Sequence, residues 1–380
     1  MKKLKEIFKY PVLLIFSVII IIFSLGDLVL PHKDYSELEN IKFSERPKLT
    51  LKGLMDSGPT GFAQRFEKYT NEQFPMRDTW ITIKSTCEAA LLKIENNGII
   101  YGSDGYMFDK FYSYDERRLE LNLSSLKEFG EKYPLINKTL LLAPSAYEVL
   151  NDKLPAGSFN IDQREALEKW QDYLVSSGFD FIDLDAVLKA KYKESPEEKL
   201  YYKTDHHWTT EGAYEAYLAY CKEKNLTPAE FKKQTVSEDF IGTHFSKCKK
   251  IGTEGESIIC YEPSVTSIKV NGEIKDGLFD FEKLSTRDKY GFFLYGNNGI
   301  TEIVNENAQK DETLLVIKDS FANCLVPFLT ENYKKIIVVD LRFLGEDLSK
   351  VIEREHPKEV IINYNVKNIF TDPDIPRIKY

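Results

Sequence analysis

The strongest constraint on the fold is an alternation of apolar, strand-like segments with helix-like segments near the end of the chain. The strand-like segments are TLLVI (313–317), KKIIVVD (334–340) and EVIINYN (359–365). Strands and helices that alternate at this spacing indicate βαβ units, which build a parallel sheet. We therefore predict an α/β fold with a parallel sheet flanked by helices. In such sheets, ligands bind at the carboxyl ends of the strands.

The same alternation is present in an earlier part of the chain. Predicted helices near 115–132 and 163–177 precede the strand-like segments KTLLLAP (138–144) and DFIDL (180–184). Continuous apolar runs of this length suit strands that are buried on both faces. Residues 228–305 differ, because they combine many turn residues with short alternating runs. We predict an irregular, partly β insertion there.

Three local patterns complete the prediction of secondary structure. Apolar residues at helical spacing on both sides of Pro75 predict two helices within 61–95. Residues 97–111 alternate around a glycine-rich turn and predict a small hairpin. Thr209 or Thr210 is a good N-cap, so we expect a helix over the segment that follows.

The N-terminus has the pattern of a membrane anchor. Residues 1–10 carry four lysines, and the apolar run that follows contains only Asp27 as far as residue 30, which is enough to cross a bilayer. The positive-inside rule then leaves residues 1–10 as a cytoplasmic tail and exports the rest. We predict a signal anchor at 11–30, a stalk at 31–60 and one domain at 61–380. A cleaved signal peptide is the alternative, and it also exports the domain.

Charge and cysteine content restrict the function. The chain has a net charge of -9 although its first ten residues are basic, so the predicted exported part is acidic. An acidic domain is a poor candidate for binding nucleic acid or anionic lipid. The five cysteines show no zinc-binding spacing. Cys248 and Cys260 either form a bridged hairpin or remain unpaired thiols.

Two motifs supply the elements of a nucleophilic site. Ser320 follows the strand-like TLLVI segment and enters a helix, where backbone N–H groups favour an oxyanion. Activation of a serine requires a base and a carboxylate that orients the base. Asp205 and His207, two residues apart, lie on one side of an extended segment, and a turn would also bring them into contact. A serine that only caps a helix is the simpler interpretation of Ser320 alone.

The neighbouring His206 allows two other interpretations. In an extended segment it points away from His207, and we expect it to pack beneath the following helix. Asp205, His206 and His207 are also chemically suitable metal ligands, but adjacent histidines rarely both bind one ion. The other histidines, at positions 32, 244 and 356, stand at no ligand spacing from them. We therefore predict no metal and no cofactor.

The combined motifs resemble a known family. KDSFA (318–322) resembles the GDS block of SGNH-type hydrolases, with Lys318 in place of the glycine. D-x-H-W upstream of the serine resembles the alginate O-acetyltransferase branch, whose triad runs Asp, His, Ser in chain order. Together the motifs are most similar to DHHW-motif proteins of this clan. The similarity also covers FEKYTNEQFPMRD (66–78), NGIIYGSDGYMF (97–108), DLRF (340–343) and IINYNVKNI (361–369).

The resemblance implies an SGNH-like fold and a catalytic triad. It implies Ser320 as the nucleophile, His207 as the general base and Asp205 as the partner that orients His207. Lys318 departs from the family pattern, so the turn before Ser320 must accommodate a side chain. A lysine at this position could also hold an acidic glycan.

Further site residues are implied less directly. The Ser320 backbone N–H is the first candidate oxyanion donor, and SGNH enzymes add a glycine N–H and an asparagine side chain. Gly296 and Asn297 form one candidate pair for these groups, and Asn365 is another candidate. Arg342 could contact an acyl oxygen or a sugar hydroxyl. The alternative for Arg342 is a structural ion pair with Asp340 or Asp319.

The implied function is membrane-anchored, extracytoplasmic acetyl transfer in the bacterial cell envelope. An acetyl group would pass through Ser320 to hydroxyls of a surface or secreted polysaccharide. The family context implies a membrane-bound O-acyltransferase partner that supplies the acetyl group. A carbohydrate acetylesterase with the same triad, or a non-catalytic polysaccharide-binding subunit, remains as an alternative.

Overall fold

The computed structural model describes residues 10–36, 41–58 and 60–380, and the chain divides into two compact units. One unit contains Met1–Leu92 with Lys249–Ile251, and the other contains Lys93–Cys248 with Gly252–Tyr380. Residues 1–9 of the predicted cytoplasmic tail lie outside the described residues, and so do residues 37–40 and 59 of the predicted stalk.

The smaller unit is mostly helical. Its helices and strands, in chain order, are α1 (Pro11–Val29), β1 (Tyr35–Ser36), β2 (Ile41–Lys42), α2 (Leu51–Met55), α3 (Phe62–Glu72) and α4 (Arg77–Ala90). The interruption between α3 and α4 surrounds Pro75, so the predicted pair of helices is confirmed. Among the helices of the described ranges, none has both the length and the apolar character that a membrane crossing requires. The predicted transmembrane anchor at 11–30 is therefore not supported.

The larger unit contains the α/β fold. Its helices are α5 (Glu116–Lys132), α6 (Ala146–Val149), α7 (Gln163–Val175), α8 (Leu184–Glu194), α9 (Thr210–Glu223), α10 (Thr243–Cys248), α11 (Val326–Leu329), α12 (Leu348–Glu355) and α13 (Val366–Thr371). Its first strands are β3 (Glu95–Asn96), β4 (Ile99–Tyr101), β5 (Met107–Asp109), β6 (Asn137–Leu140), β7 (Phe179–Phe181), β8 (Lys232–Phe240) and β9 (Glu256–Glu262). The remaining strands are β10 (Ser267–Val270), β11 (Glu273–Lys275), β12 (Ile300–Val304), β13 (Lys310–Lys318), β14 (Tyr333–Val339) and β15 (Glu359–Asn363).

The main sheet is mixed rather than purely parallel. Its eight strands are ordered β11-β10-β12-β14-β13-β15-β6-β7. The five strands from β14 to β7 are parallel, as predicted, whereas β12, β10 and β11 are joined by antiparallel pairs. The antiparallel strands come from the predicted insertion at 228–305, which therefore extends the sheet at one edge. The other strands of that insertion, β8 and β9, pair only with each other among the described residues.

The parallel strands position the chemistry-bearing residues. The segment Leu314–Ile317 of β13 and all of β15 are buried, as expected of strands covered on both faces. β13 pairs with β15, and β15 pairs with β6, so their carboxyl ends lie at one edge. A bridge between Ala143 and Asn365 continues this pairing beyond the strands. The segment that carries Ser320 leaves the sheet at the same edge.

One local prediction requires correction, and one alternative that the sequence left open is decided. The helix that Ser320 was expected to enter is divided into a 3-10 turn, Ser320–Cys324, and the short α11. Pro327 explains the break, because it has no N–H to donate and its ring obstructs a continuous helix. Cys248 and Cys260 do not form a disulfide with each other, so the bridged hairpin is not formed. The hairpin predicted at 97–111 is confirmed by β4 and β5.

Candidate active site

A hydrogen-bonded chain joins Asp205, His207 and Ser320. The Asp205 carboxylate lies 2.6 Å from His207 Nδ1, and His207 Nε2 lies 2.7 Å from Ser320 Oγ. Asp205 also accepts a hydrogen bond of 3.0 Å from the His207 backbone N–H, so the segment makes a turn rather than the extended geometry considered above. The structure thus brings together the three residues singled out in the sequence, although they are separated by 113 positions. Asp205 and His207 are buried, and Ser320 borders a cavity.

A second group of donors holds the other Asp205 oxygen. The Thr243 backbone N–H and hydroxyl both donate to Asp205 Oδ2, at 2.7 and 2.9 Å. Gly242 allows this approach, since a Cβ at that position would overlap the Cβ of Asp205. Burial alone would raise the pKa of Asp205, but the adjacent His206 and His207 hold that pKa well below its ordinary value. Asp205 is therefore a fixed carboxylate that accepts four hydrogen bonds.

Glu256 fixes the backbone just before Asp205. Its carboxylate accepts hydrogen bonds from the N–H groups of Lys203 and Thr204, at 2.9 and 3.0 Å, and from the Thr204 hydroxyl at 2.8 Å. The Thr204 hydroxyl in turn accepts a hydrogen bond from Gly242 N–H. Burial raises the pKa of Glu256. The insertion at 228–305 thus supplies the residues that shape the Asp205 turn.

Two aromatic side chains support the turn that carries Ser320. The Tyr290 ring stacks on the His207 ring, with centroids 3.8 Å apart and planes within 9°. Its hydroxyl donates to the Ser320 carbonyl oxygen at 3.3 Å. The indole N–H of the buried Trp208 donates to the Phe321 carbonyl oxygen at 2.9 Å. The tryptophan after the two histidines therefore connects the His207 segment directly to the Ser320 segment.

Asp319 links the ends of two neighbouring strands. It accepts hydrogen bonds from Phe321 N–H at 2.8 Å, Asn365 N–H at 2.7 Å and the Asn368 side-chain amide at 2.7 Å. Asp319 is fully buried, and burial raises the pKa of its carboxyl group. These contacts tie the segment after β13 to the segment after β15. The position of Ser320 is thus set by groups from both strands.

Only some of the candidate oxyanion donors lie beside the cavity. The Ser320 backbone N–H has no hydrogen-bond partner among the described residues. Asn365 lines the cavity next to Ser320, but its amide group already donates to Ala143 O at 3.0 Å. Asn297 Oδ1 accepts hydrogen bonds from Lys318 Nζ and Asn323 Nδ2, at 2.9 and 3.3 Å. Neither Gly296 nor Asn297 lines the cavity.

Lys318 and Arg342 share one buried carboxylate. Lys318 Nζ lies 3.4 Å from Asp340 Oδ2, and burial lowers the pKa of Lys318 to about 8. Arg342 donates to both oxygens of Asp340, at 2.8 and 2.6 Å, so the structural ion pair considered above is present. Arg342 also lines the cavity, whereas Lys318 is buried behind it. Of the two cations, only Arg342 borders the space beside Ser320.

The cavity beside Ser320 has a volume of about 370 Å³. Most of the residues that line it have polar or charged side chains, among them His206, Lys247, Arg342, Asn365 and Asn368 in addition to Ser320. This volume is within the range of small-molecule sites. The cavity can hold a polar group of the size of a sugar ring next to the serine hydroxyl.

The expectation for His206 is wrong. The His206 and His207 rings lie against each other, with centroids 3.7 Å apart, and His206 borders the cavity instead of packing beneath the helix. The cause is the Asp205 turn, which turns both rings to the same side. Asp205, His206 and His207 also form a possible metal-ligand group, with one atom of each within 4.8 Å of the others. Both ring nitrogens of His207 already make hydrogen bonds, so an ion bound there would disrupt the contacts of His207 with Asp205 and Ser320.

Several site residues were missed in the sequence analysis. Gly242, Thr243, Glu256 and Tyr290 all lie in the insertion and approach Asp205 or His207 only through the tertiary fold. No spacing relates them to the DHHW segment. Asp319 could have been noticed, because it precedes the nucleophile inside the KDSFA block, yet two of its three hydrogen bonds come from residues after β15.

Two family models match the chain. The model described as DHHW protein matches residues 185–339, and the model described as the SGNH hydrolase-like domain of the acetyltransferase AlgX matches residues 99–247. These two matches include Asp205 and His207, and the first includes Ser320 as well. The resemblance predicted from the motifs is confirmed. Among the curated proteins, none matches this chain.

Solved structures share the fold. A DHHW family protein from Eubacterium siraeum is 23% identical, with a TM-score of 0.64 over 75% of this chain and 96% of that chain. PatB1 from Bacillus cereus is 21% identical, with a TM-score of 0.61 over 72% of this chain and 97% of that chain. A structure of PatB1 with a sulfonyl adduct is 20% identical, with a TM-score of 0.61 over 74% of this chain and 100% of that chain. At these identities the similarity shows that the α/β fold is shared.

Proposed function

From the matches to the DHHW and AlgX acetyltransferase models, we propose that this chain is a serine-dependent O-acetyltransferase that acts on polysaccharide hydroxyls. The family-level similarity supports O-acetylation, and the acetyl-Ser320 intermediate is part of the proposal. The observation that carries it is the Asp205–His207–Ser320 hydrogen-bond chain at the wall of a polar cavity.

The first half-reaction forms the acetyl-enzyme. Ser320 Oγ attacks the acetyl carbonyl carbon while His207 Nε2 takes the serine proton. The oxyanion lies near the Ser320 backbone N–H, which has no other partner among the described residues. The tetrahedral intermediate then collapses, and the leaving group receives the proton from His207. Asp205 stabilises the positive charge that His207 carries between the two proton transfers.

The second half-reaction repeats these steps with the acceptor. A sugar hydroxyl attacks the acetyl carbon and gives its proton to His207, the bond to Ser320 breaks, and Ser320 regains a proton. The product is a sugar acetate and free enzyme. If water takes the place of the sugar, the same steps release acetate, which is the esterase alternative.

The proposal includes a location and a partner. We propose that the catalytic unit lies on the extracytoplasmic side of the bacterial membrane, because a surface or secreted polysaccharide is found on that side. Acetyl groups would come from a membrane-bound O-acyltransferase, and the acceptor would be a surface or secreted polysaccharide. A non-catalytic polysaccharide-binding subunit is the alternative from another functional class.

The decisive test is the mass of the intact protein after reaction with an activated acetyl ester. We expect one acetyl adduct in the wild type and none in Ser320→Ala. Ser145→Ala is the matched control, because Ser145 lines the same cavity but its hydroxyl contacts Gln163 and Asn365 rather than an imidazole. A sulfonyl fluoride should label the same hydroxyl, by analogy with the PatB1 structure that has a sulfonyl adduct.

The outcomes separate the candidate functions. Discharge of the adduct onto an added oligosaccharide supports the transferase, and discharge to water alone supports the esterase. Absence of an adduct in the wild type, or an adduct that persists in Ser320→Ala, would overturn the proposed intermediate. A wild type that binds polysaccharide without forming any adduct would favour the binding subunit.

A further inference from the structure

Thr243 determines which nitrogen of His206 carries the proton. Its hydroxyl donates its only proton to the Asp205 carboxylate, so it acts as acceptor in its 2.9 Å contact with His206 Nδ1. His206 Nδ1 must therefore carry a hydrogen. The Asp205 carboxylate, 3.4 Å from the same nitrogen, favours the same tautomer.

The remaining ring nitrogen of His206 is then a bare hydrogen-bond acceptor. The hydrogen bond of the His206 side chain within the described residues is made by Nδ1, so Nε2 is left for a ligand, and the residue lines the cavity with 34% of its side chain exposed. Burial and the nearby His207 lower the pKa of His206 to about 3, so the ring is neutral at physiological pH. A neutral imidazole with a fixed Nδ1–H presents a lone pair at Nε2.

The hydroxyl that attacks the acetyl group cannot be the partner of this lone pair, because its proton goes to His207. The His206 and His207 rings lie side by side, with centroids 3.7 Å apart. Two adjacent acceptors of this kind match two adjacent hydroxyl groups on one sugar ring. A vicinal diol supplies a separate O–H group for each of the two rings, whereas a ring with a single hydroxyl can serve only one of them.

We propose that His206 Nε2 accepts a hydrogen bond from the acceptor hydroxyl adjacent to the one that is acetylated, so that the enzyme selects sugars with vicinal hydroxyl groups. This inference rests on the proposed acetyl transfer. His206 acts as a positioning and specificity residue, whereas His207 transfers the proton. The bond favours a vicinal diol over a ring with a single hydroxyl group as the acceptor.

The test measures the ratio of transfer to hydrolysis from the acetyl-enzyme. The protein is treated with an activated acetyl ester in the presence of trans-cyclohexane-1,2-diol, cis-cyclohexane-1,2-diol or cyclohexanol, and diol acetate and free acetate are quantified. These probes carry two hydroxyls or one on a ring of pyranose size. The ratio does not depend on how fast Ser320 is acetylated, which isolates the effect on the acceptor.

Two variants distinguish positioning from a structural role. His206→Asn keeps an N–H near Thr243 and removes the distal acceptor, whereas His206→Gln places an amide oxygen near the original Nε2 position. We expect the wild type to prefer one of the diols over cyclohexanol by roughly tenfold, the worth of one hydrogen bond. His206→Asn should lose this preference, and His206→Gln should restore part of it.

The results separate this inference from the function on which it depends. Equal preference for diol and cyclohexanol in the wild type, or a preference that survives in His206→Asn, would overturn the role of His206 while acetyl transfer stands. Failure of the wild type to form any acetyl-enzyme would overturn the proposed function, and the inference with it.

Discussion

At the residue scale, the Asp205 turn depends on an approach that only glycine permits. The Cβ of an alanine at position 242 would overlap Asp205, so the carboxylate or the 242–243 backbone must move. Displacement of a catalytic group by about 1 Å can cost roughly 10²-fold in rate. We expect Gly242→Ala to slow acetylation of Ser320 by about this factor, measured with an activated acetyl ester.

Gly345 offers a matched control for that substitution. A Cβ at position 345 would meet no atom within 4 Å, so Gly345→Ala should acetylate at the wild-type rate. Wild-type acetylation by Gly242→Ala, with its fold intact by circular dichroism, would show that the position of Asp205 does not limit the reaction.

The residue scale is also where the sequence is both most and least informative. Asp205, His207 and Ser320 could be singled out because a nucleophile, base and carboxylate have recognisable chemistry and chain order. Thr243 and Glu256 could not, because their roles arise from hydrogen bonds to partners 38 and 52 positions away. The orientation of His206 was mispredicted for a related reason. A single hydrogen bond, from His207 N–H to Asp205 Oδ1, converts an extended segment into a turn.

At the scale of elements, the start of α9 is the feature that was predicted best. Thr209 is the N-cap, and its hydroxyl accepts a hydrogen bond from Gly212 N–H while it donates to Lys199 O. Thr209→Ala removes both contacts, and we expect it to lower the free energy of unfolding by about 1–2 kcal/mol. The measurement is urea denaturation of the full chain.

Thr209→Ser is the control for the cap, because it keeps the hydroxyl and should retain most of the stability. Equal losses in the two variants would attribute the effect to the missing methyl group rather than to capping.

The N-cap at Thr209 could be predicted from the sequence for a physical reason. Capping is local in sequence, whereas the mixed order of the main sheet depends on pairs such as β12 with β14, which no local pattern encodes.

At the scale of the whole molecule, the buried site predicts a loss of stability in mild acid. The pKa of His206 is lowered from 6.5 to about 3 in the folded protein. Below about pH 6.5, His206 therefore binds a proton in the unfolded chain but stays neutral in the folded chain, which lowers the free energy of unfolding. Asp205, with its lowered pKa, contributes stability that is lost only in stronger acid, as the pH falls through and below 3.8. The raised pKa of Glu256 acts in the opposite direction, because its folded form retains a proton more readily.

Between about pH 7 and pH 5.5, comparison with a variant that lacks this imidazole should isolate the His206 contribution. We expect the urea midpoint of the wild type to fall over this interval and the fall to be smaller in His206→Asn, which has no titrating group at that position. Equal falls in both proteins would mean that His206 is not held neutral in the folded state.

The link that Asp319 makes between the segments after β13 and β15 has a consequence for biosynthesis. During translation, Asp205, His207 and Ser320 are all synthesised before β15, but the groups that seat the Ser320 turn, Asn365 N–H and the Asn368 amide, come after that strand. A ribosome that stalls before residue 359 holds a chain with every reactive side chain and no assembled site. We therefore expect a chain that ends before β15 to be unable to carry out the proposed acetylation of Ser320, because its Ser320 turn lacks the groups that hold it in place.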